Sequence, residues 1–399
     1  MQTESENQAV TSKPMDSVFT DPSFLQTQNT PDGDSTTRED IEQSEDYEKI
    51  WSQVQFTGTG AEYFRIWIVN LLLSILTLGI YSAWAKVRRT RYFYNHVNID
   101  GHNLEYTARP WQILKGRIIA ALVLGIIAGL SATANPTALV VAGVIQLGVF
   151  LLIPVILVLS MRFALHNTQY RAINFDFSGR YKQAYATFLF WPMLIIPTLG
   201  LILPFVAKKQ VEFLMEKTLL GKTPFEFNPQ LTSKSFYWIY AKFIGLILAL
   251  GFMKFIFEFI GAFVLFFLHK FGIEQSQENL QIFIVTIYLI VLFSSTIWLQ
   301  LSVFGLIWNQ ACLDNIIFKT TLNPYRGLWI HISNMILRVI TLGLAAPWCQ
   351  IRWTRYKIES LSVQTNKEMS ASFIAANKSG KDGNIAEGLD DLGGMDLGI

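Results

Sequence analysis

Apolar residues in this chain fall into long blocks rather than the short alternations of a soluble domain. Runs over 66–85, 118–133, 137–161, 186–207, 239–268, 282–307 and 328–348 approach or exceed the roughly 20 residues that a helix needs to cross about 30 Å of hydrocarbon. They predict seven membrane segments. Three of the runs carry one phrase near their ends, Thr77-Leu78-Gly79, Thr198-Leu199-Gly200 and Thr341-Leu342-Gly343, each followed five residues later by an aromatic, Trp84, Phe205 or Trp348.

Aligned on that phrase, the first two copies run together over about fifty residues. Phe56-Thr57-Gly58 falls on Phe177-Ser178-Gly179, Arg88 on Lys209, Tyr92 on Phe213, and Leu104-Glu105-Tyr106 on Phe225-Glu226-Phe227. The third copy matches in its middle, where Asn334, Arg352, Arg355 and Tyr356 take the places of Asn70, Arg88, Arg91 and Tyr92. Between the apolar blocks, Val54–Thr57 and Asn174–Phe177 read as short strands. Asp100-Gly101 between β-forming residues reads as a hairpin turn, and Gly221-Lys222 as its counterpart. The expected architecture is a mainly α, polytopic membrane protein with internal repeats, each a helical segment centred on Thr-Leu-Gly plus a small cytoplasmic β-patch. The units are 51–170 and 171–310, each with two spanning helices, and a truncated 311–369.

Composition agrees: 51% of the 399 residues are hydrophobic and 16% charged, with a mean hydropathy of +0.33. The net charge of +2 conceals a division, since residues 1–50 carry twelve acidic against three basic side chains. Poor in apolar periodicity, this stretch is expected to be a disordered acidic tail, as is 370–399. The opening MQTESENQ has neither a basic nor an early apolar region, so no cleaved signal peptide is expected. Both tails are expected in the cytoplasm. Cys312 and Cys349 have no CxxC spacing, and the five histidines form no HExxH, so no metal or disulfide is implied.

The segment FTGTGAEYFRIWIVNLLLSILTLGIYSAWAKVRRTRYFYNHVNIDG (56–101), followed by LKGRIIA, closely resembles the YjgN family of bacterial inner-membrane proteins, a domain of unknown function. The resemblance extends over about 54–362. It implies a multi-pass protein of the bacterial inner membrane and supplies no substrate, cofactor or catalytic residue.

Basic residues constrain topology. The loop 86–117 holds seven Lys and Arg and the loop 208–242 six, and seven simple crossings would set these loops on opposite faces, against the positive-inside expectation. If the Thr-Leu-Gly segments instead enter and return on one side, four helices span and both loops are cytoplasmic. The apolar lengths allow either arrangement. A re-entrant turn is expected to be buried in protein or wetted, because lipid cannot satisfy its backbone.

Two groups of residues are candidate sites. Asn70, His331, Asn334 and Arg338, together with Lys254 and Glu258, are polar at membrane depth, where such groups often mark function. An interhelical hydrogen bond by the asparagine, or a pair that slides to the interface, is the plainer account. Lys86, Arg88, Arg89 and Arg91, echoed by Arg352 and Arg355, could contact anionic lipid head groups or a phosphorylated ligand, or simply anchor helix ends by snorkelling. Gly58-Thr59-Gly60 lacks the third glycine of a dinucleotide loop and Gly221-Lys222-Thr223 the upstream glycine of a phosphate loop, so neither is a nucleotide site. No catalytic motif and no cofactor site is found. The expected partner is the lipid bilayer, with no role for nucleic acid. Transport or lipid and small-molecule translocation is the leading function, by analogy with repeated bundles that build sites at broken helices. A non-catalytic scaffold or sensor is the alternative.

Overall fold

The computed structural model describes residues 50–133, 135–227, 229–270, 277–314 and 316–365, so the two expected tails lie outside the described residues, apart from Ile50. Eleven short strands organise it: β1 (Ile50–Gln53), β2 (Gln55–Phe56), β3 (Val97–Ile99), β4 (His102–Tyr106), β5 (Thr168–Tyr170), β6 (Ile173–Phe177), β7 (Thr218–Leu220), β8 (Thr223–Phe227), β9 (Ala311–Leu313), β10 (Ile316–Thr320) and β11 (Leu361–Thr365). They pair in the order β1-β11-β10-β9-β8-β7-β6-β5-β4-β3-β2, and every pairing is antiparallel. The two ends of that order, β1 and β2, are separated in the chain only by Val54, whose N–H donates to the Leu361 carbonyl at 3.0 Å. The two end strands are thus consecutive halves of one segment, which brings the sheet round on itself as a ring.

Two kinds of connection alternate around the ring. Tight turns join β3 to β4 and β5 to β6, through Asp100 (φ 50°) and Gly101 (φ 78°) and through Arg171 (φ 51°) and Ala172 (φ 64°). Two successive positive φ angles are the type I′ geometry whose twist suits a two-residue hairpin. The other connections are pairs of helices: α1 (Gly60–Leu76) with α2 (Ser82–Asn95), α3 (Pro110–Ala132) with α4 (Pro136–His166), α5 to α7, α8 (Pro229–Lys270) with α9 (Gln277–Trp308), and α10 (Pro324–Ile340) with α11 (Ala346–Glu359). In the third pair α5 (Tyr181–Tyr185) leads through a π-helical turn (Ala186–Phe190) and α6 (Trp191–Met193) to α7 (Leu203–Glu216). Each helical hairpin leaves the ring from one strand and returns to the strand paired with it.

One bond recurs where four of the five hairpins meet the ring. Thr57, Thr107, Ser178 and Thr321, each the first residue after a strand, donate their N–H to the carbonyl of His96, Asn167, Lys217 and Ser360, each the last before the returning strand, at 2.8–3.0 Å. Their hydroxyls donate to the same carbonyls at 3.3–3.4 Å. A hydroxyl residue at that place binds the two feet of a hairpin together. In the third expected unit β10 precedes α10 and β11 follows α11, as strands flank the other hairpins.

The hairpins differ in depth. Among the described residues four helical stretches are long and apolar enough to cross a membrane: Pro110–Ala132, Pro136–His166, Lys234–Val264 and Val285–Trp308. Their outward faces carry exposed Leu, Ile, Val and Phe, a surface that suits hydrocarbon and not water. The other three expected segments, 66–85, 186–207 and 328–348, are each interrupted at Thr-Leu-Gly. Helix α1, at 17 residues, is only about 25 Å long.

The three Thr-Leu-Gly turns share one backbone. Leu78, Leu199 and Leu342 each have φ 50°, and Gly79, Gly200 and Gly343 have φ 91°, 83° and 88°. A left-handed leucine costs about 1–2 kcal/mol, and hydrogen bonding offsets it. The glycine N–H reaches back to Ser74, Ile195 or Arg338 at 2.7–2.8 Å, in the manner of a Schellman cap. The threonine hydroxyl donates to the helix that ends (Leu73, Leu194 and Leu337 carbonyls, 2.6–2.7 Å). In the first and third copies it also accepts from the helix that begins, from Tyr81 N–H at 2.9 Å and Ala345 N–H at 3.1 Å. Every N–H from Thr77 to Ser82, and from Thr341 to Ala346, is thereby bonded within the turn. The turn is not covered by protein: Leu78, Leu199 and Leu342 are 92–95% exposed, and in the first and third copies the turn satisfies its own donors.

Thr341→Val keeps the volume and removes the hydroxyl, leaving Ala345 N–H without its acceptor. It is expected to destabilise the protein by about 1–3 kcal/mol in thermal unfolding, while Thr341→Ser stays close to wild type. An unchanged midpoint for the valine variant would refute the role of the hydroxyl. Gly179→Ala would set a Cβ closest to the Phe177 ring and 2.8 Å from the Phe213 ring and is expected to lower the midpoint through about 1–3 kcal/mol of overpacking. Relief of that loss by Phe177→Leu in the same assay would identify the ring contact as its cause.

Candidate functional site

The basic residues flanking the Thr-Leu-Gly hairpins divide by what they touch. Arg91 on α2 donates Nε–H to the Tyr106 carbonyl at 3.2 Å, and Arg355 on α11 donates from Nη2 to the Gly58 carbonyl at 2.9 Å. Arg162 on α4, which was not among the candidate site residues, does the same to Gly179 at 2.9 Å. Each ties the second helix of one hairpin to the corner where the next hairpin begins. That corner admits little else: a Cβ on Gly58 would lie 2.8 Å from the Phe56 ring and 3.2 Å from the Tyr92 hydroxyl. The Tyr92 hydroxyl donates to the Thr59 carbonyl and accepts from its N–H, both at 3.0 Å, and burial raises its pKa. Lys357 lies over the Trp353 ring, and burial lowers its pKa. Arg352 donates to Ser333 Oγ at 3.0 Å and Asn334 Oδ1 at 3.4 Å, and Arg88 reaches the Tyr81 hydroxyl at 3.5 Å.

The polar residues expected at membrane depth do not converge. Asn334 is 4% exposed and donates from Nδ2 to the Cys349 carbonyl at 3.1 Å, closing α10 against α11. His331 lies between the rings of Phe293 and Trp353, each 5.7 Å away. Arg338 is exposed. Lys254 and Glu258 pair at 2.8 Å on α8, but with side chains 36% and 54% exposed they form an outward pair rather than a buried one. Lys254 borders an apolar cavity of about 310 Å³ between α8 and α9, beside Tyr288.

Asn70 is different. On α1 the residues Tyr63, Trp67, Asn70 and Ser74 are spaced four, three and four apart, which sets them on one face. That face borders a groove of about 460 Å³ shared with α2, where Ser82, Lys86 and Arg89 line it, and with Arg117 of α3 and Gln350 of α11. Gln350 accepts from the Tyr63 hydroxyl at 2.9 Å, and Arg117 donates to Ser82 Oγ. Asn70 is 8% exposed, and its Oδ1 has no hydrogen-bond partner. Of the lining groups, Asn70, Lys86 and Arg89 were expected candidates. Ser82 stands one turn before Lys86 on the same helix, whereas Arg117 and Gln350 come from other helices, and only the fold brings them in. No group of three or more His, Cys, Asp or Glu able to hold a metal occurs among the described residues.

Comparison with known proteins supports the resemblance of residues 56–101. Three curated relatives are each named inner membrane protein YjgN. The protein from Salmonella typhimurium strain LT2 is 26% identical over 149 residues, 37% of each chain. That from Escherichia coli O157:H7 is 26% identical over 156 residues, 39% of this chain and 38% of the relative. That from Escherichia coli K12 is 47% identical over 51 residues, 13% of each. The matched segments thus span well under half of these relatives' length. No solved structure matches. A family model described as bacterial protein of unknown function (DUF898) matches residues 52–392. With that match covering most of its length, the chain belongs to the DUF898 family of bacterial proteins, of which the YjgN proteins are its curated relatives.

Proposed function

We propose that this is a multi-pass protein of the bacterial inner membrane that handles an anionic amphiphile or small anionic molecule, translocating it or presenting it at the bilayer. The observation that carries this reading is the groove beside Asn70, a polar and cationic recess in a hairpin whose outer face is apolar. Polar lining next to a broken helix is how membrane transporters build binding sites.

The accompanying topology has four spanning helices, with the β-ring and both basic loops on the cytoplasmic side and the three Thr-Leu-Gly hairpins entering and returning. It is supported by the ring itself, since both feet of every hairpin stand on it, and by the positive-inside tendency. We read the five hairpins as versions of one strand–helical hairpin–strand unit. The recurrent threonine or serine bond favours this reading, as does the Arg91, Arg162 and Arg355 linkage between neighbours.

A scaffold or sensor without transport is the second reading. It is favoured by Asn334, which is sealed against Cys349 and Arg352, so that the groove does not continue past the third hairpin.

Single cysteines placed at Asn98 and Lys217, with Cys312 and Cys349 replaced by serine, are expected to resist an impermeant thiol reagent in intact cells, whereas one at Ala132, the last residue of α3, is expected to react. Labelling of only one of the first two would sink the re-entrant topology. In proteoliposomes, the full chain is expected to accelerate transbilayer movement of a fluorescent short-chain phosphatidylglycerol over protein-free vesicles. Lys86→Gln and Arg89→Gln, which remove cations from the groove, are expected to slow that movement at normal abundance. No acceleration by the wild-type chain, with cellular effects only on removal of residues 1–49, would favour the scaffold.

A further inference from the structure

The first and third Thr-Leu-Gly hairpins carry the same asparagine and, 18 residues later, the same arginine, yet they use them differently. In the third, the site is closed from within the chain: Arg352 donates to Asn334 Oδ1 and Ser333 Oγ, and Asn334 Nδ2 donates to the Cys349 carbonyl. In the first, Arg88 turns to the Tyr81 hydroxyl instead, and Asn70 Oδ1 has no partner although the residue is more than nine-tenths buried. A buried amide oxygen left so is unfavourable unless something supplies a donor.

The groove's charge is also specific to the first hairpin. Where it has Lys86 and Arg89, the third has Gln350 and Trp353, and the second has Ala207 and Gln210. The other two hairpins form the same turn and the same feet on the ring without these cations, so the cations are not needed to build the hairpin. Arg117 adds a third positive charge from α3, and no carboxylate lines the groove. Three cations around one recess repel one another and concentrate an anion there. Guanidinium groups match the oxygens of a phosphate better than an ammonium does.

We propose that the groove of the first hairpin binds a phosphate-bearing head group, with Lys86, Arg89 and Arg117 on the phosphate oxygens and the Asn70 amide accepting from a neighbouring hydroxyl or ammonium. The inference deepens the reading of the protein as a handler of anionic amphiphiles and rests on it for the source of the phosphate. Binding itself is independent of any translocation.

The test is thermal unfolding of the full chain in detergent, titrated separately with dihexanoyl phosphatidylglycerol and with inorganic phosphate. Phosphatidylglycerol is expected to raise the midpoint in a saturable way. Arg89→Gln, at an exposed position and therefore harmless to folding, is expected to weaken binding about tenfold or more. Asn70→Asp, which sets a carboxylate in the wall at unchanged volume, is expected to weaken it comparably. Arg88→Gln, outside the groove, is expected to bind as wild type does. Saturable stabilisation by inorganic phosphate at similar concentration, lost in the same variants, would name free phosphate as the occupant. Stabilisation by the lipid alone would name a head group. Wild-type binding by Arg89→Gln and Asn70→Asp, or a loss no larger than that of Arg88→Gln, would overturn the site. Binding without accelerated lipid movement in proteoliposomes would leave the site standing and remove the translocation reading.

Discussion

A helix that stops and restarts leaves backbone groups without intrahelical partners, and an apolar segment offers few side chains to satisfy them. The Thr-Leu-Gly turn resolves that constraint within six residues. The threonine hydroxyl serves two helices, donating to the one that ends and accepting from the one that begins. Glycine takes a φ near 90° and sends its N–H back by five residues. Leucine accepts a left-handed backbone so that its side chain can point outward. Because the turn is complete in itself, a helical hairpin can end in an apolar tip without a neighbour to cover it.

The ring answers the complementary question of where the hairpins stand. Chain continuity through Val54 joins the two end strands, β1 paired with β11 and β2 with β3, so five helical hairpins of unequal length share one base. Two devices set the spacing. A hydroxyl residue at the first corner joins the feet of each of four hairpins. An arginine on the second helix joins three of them to the following corner. These bonds use the backbone carbonyl as acceptor, which leaves side chains between neighbouring hairpins free to vary. The groove beside Asn70 arises in that freedom. The same turn and base elsewhere carry Trp353 and Gln350, or Gln210 and Ala207, and only the first hairpin carries cations at these two positions.

Much of the local architecture was legible in the amino-acid sequence, and the failures have specific causes. Asp100-Gly101 announces its turn because both residues tolerate positive φ. Arg171-Ala172 adopts the same turn without any such signal, so β5 was missed. The long hairpins α3–α4 and α8–α9 lack Thr-Leu-Gly, so their likeness to the short ones went unread; it lies in single residues such as Thr107, which matches Thr57 only in its bonding. Arg91 and Arg355 were noticed as charges. That they serve as locks depends on carbonyls 15 and 297 residues away.

By itself the sequence determined what short-range chemistry determines: where the apolar segments lie, where Thr-Leu-Gly punctuates three of them, and how charge is distributed between them, with lengths that allow either four or seven crossings. Tertiary structure decided the closure of the ring, the common base of all five hairpins, and the contrast between Asn334, bonded on both sides, and Asn70, left open beside Lys86, Arg89 and Arg117. Those outcomes turn on which backbone and side-chain groups find partners across the chain. Periodicity and propensity carry no record of such pairings, because each one is set by the packing of segments that are far apart in sequence.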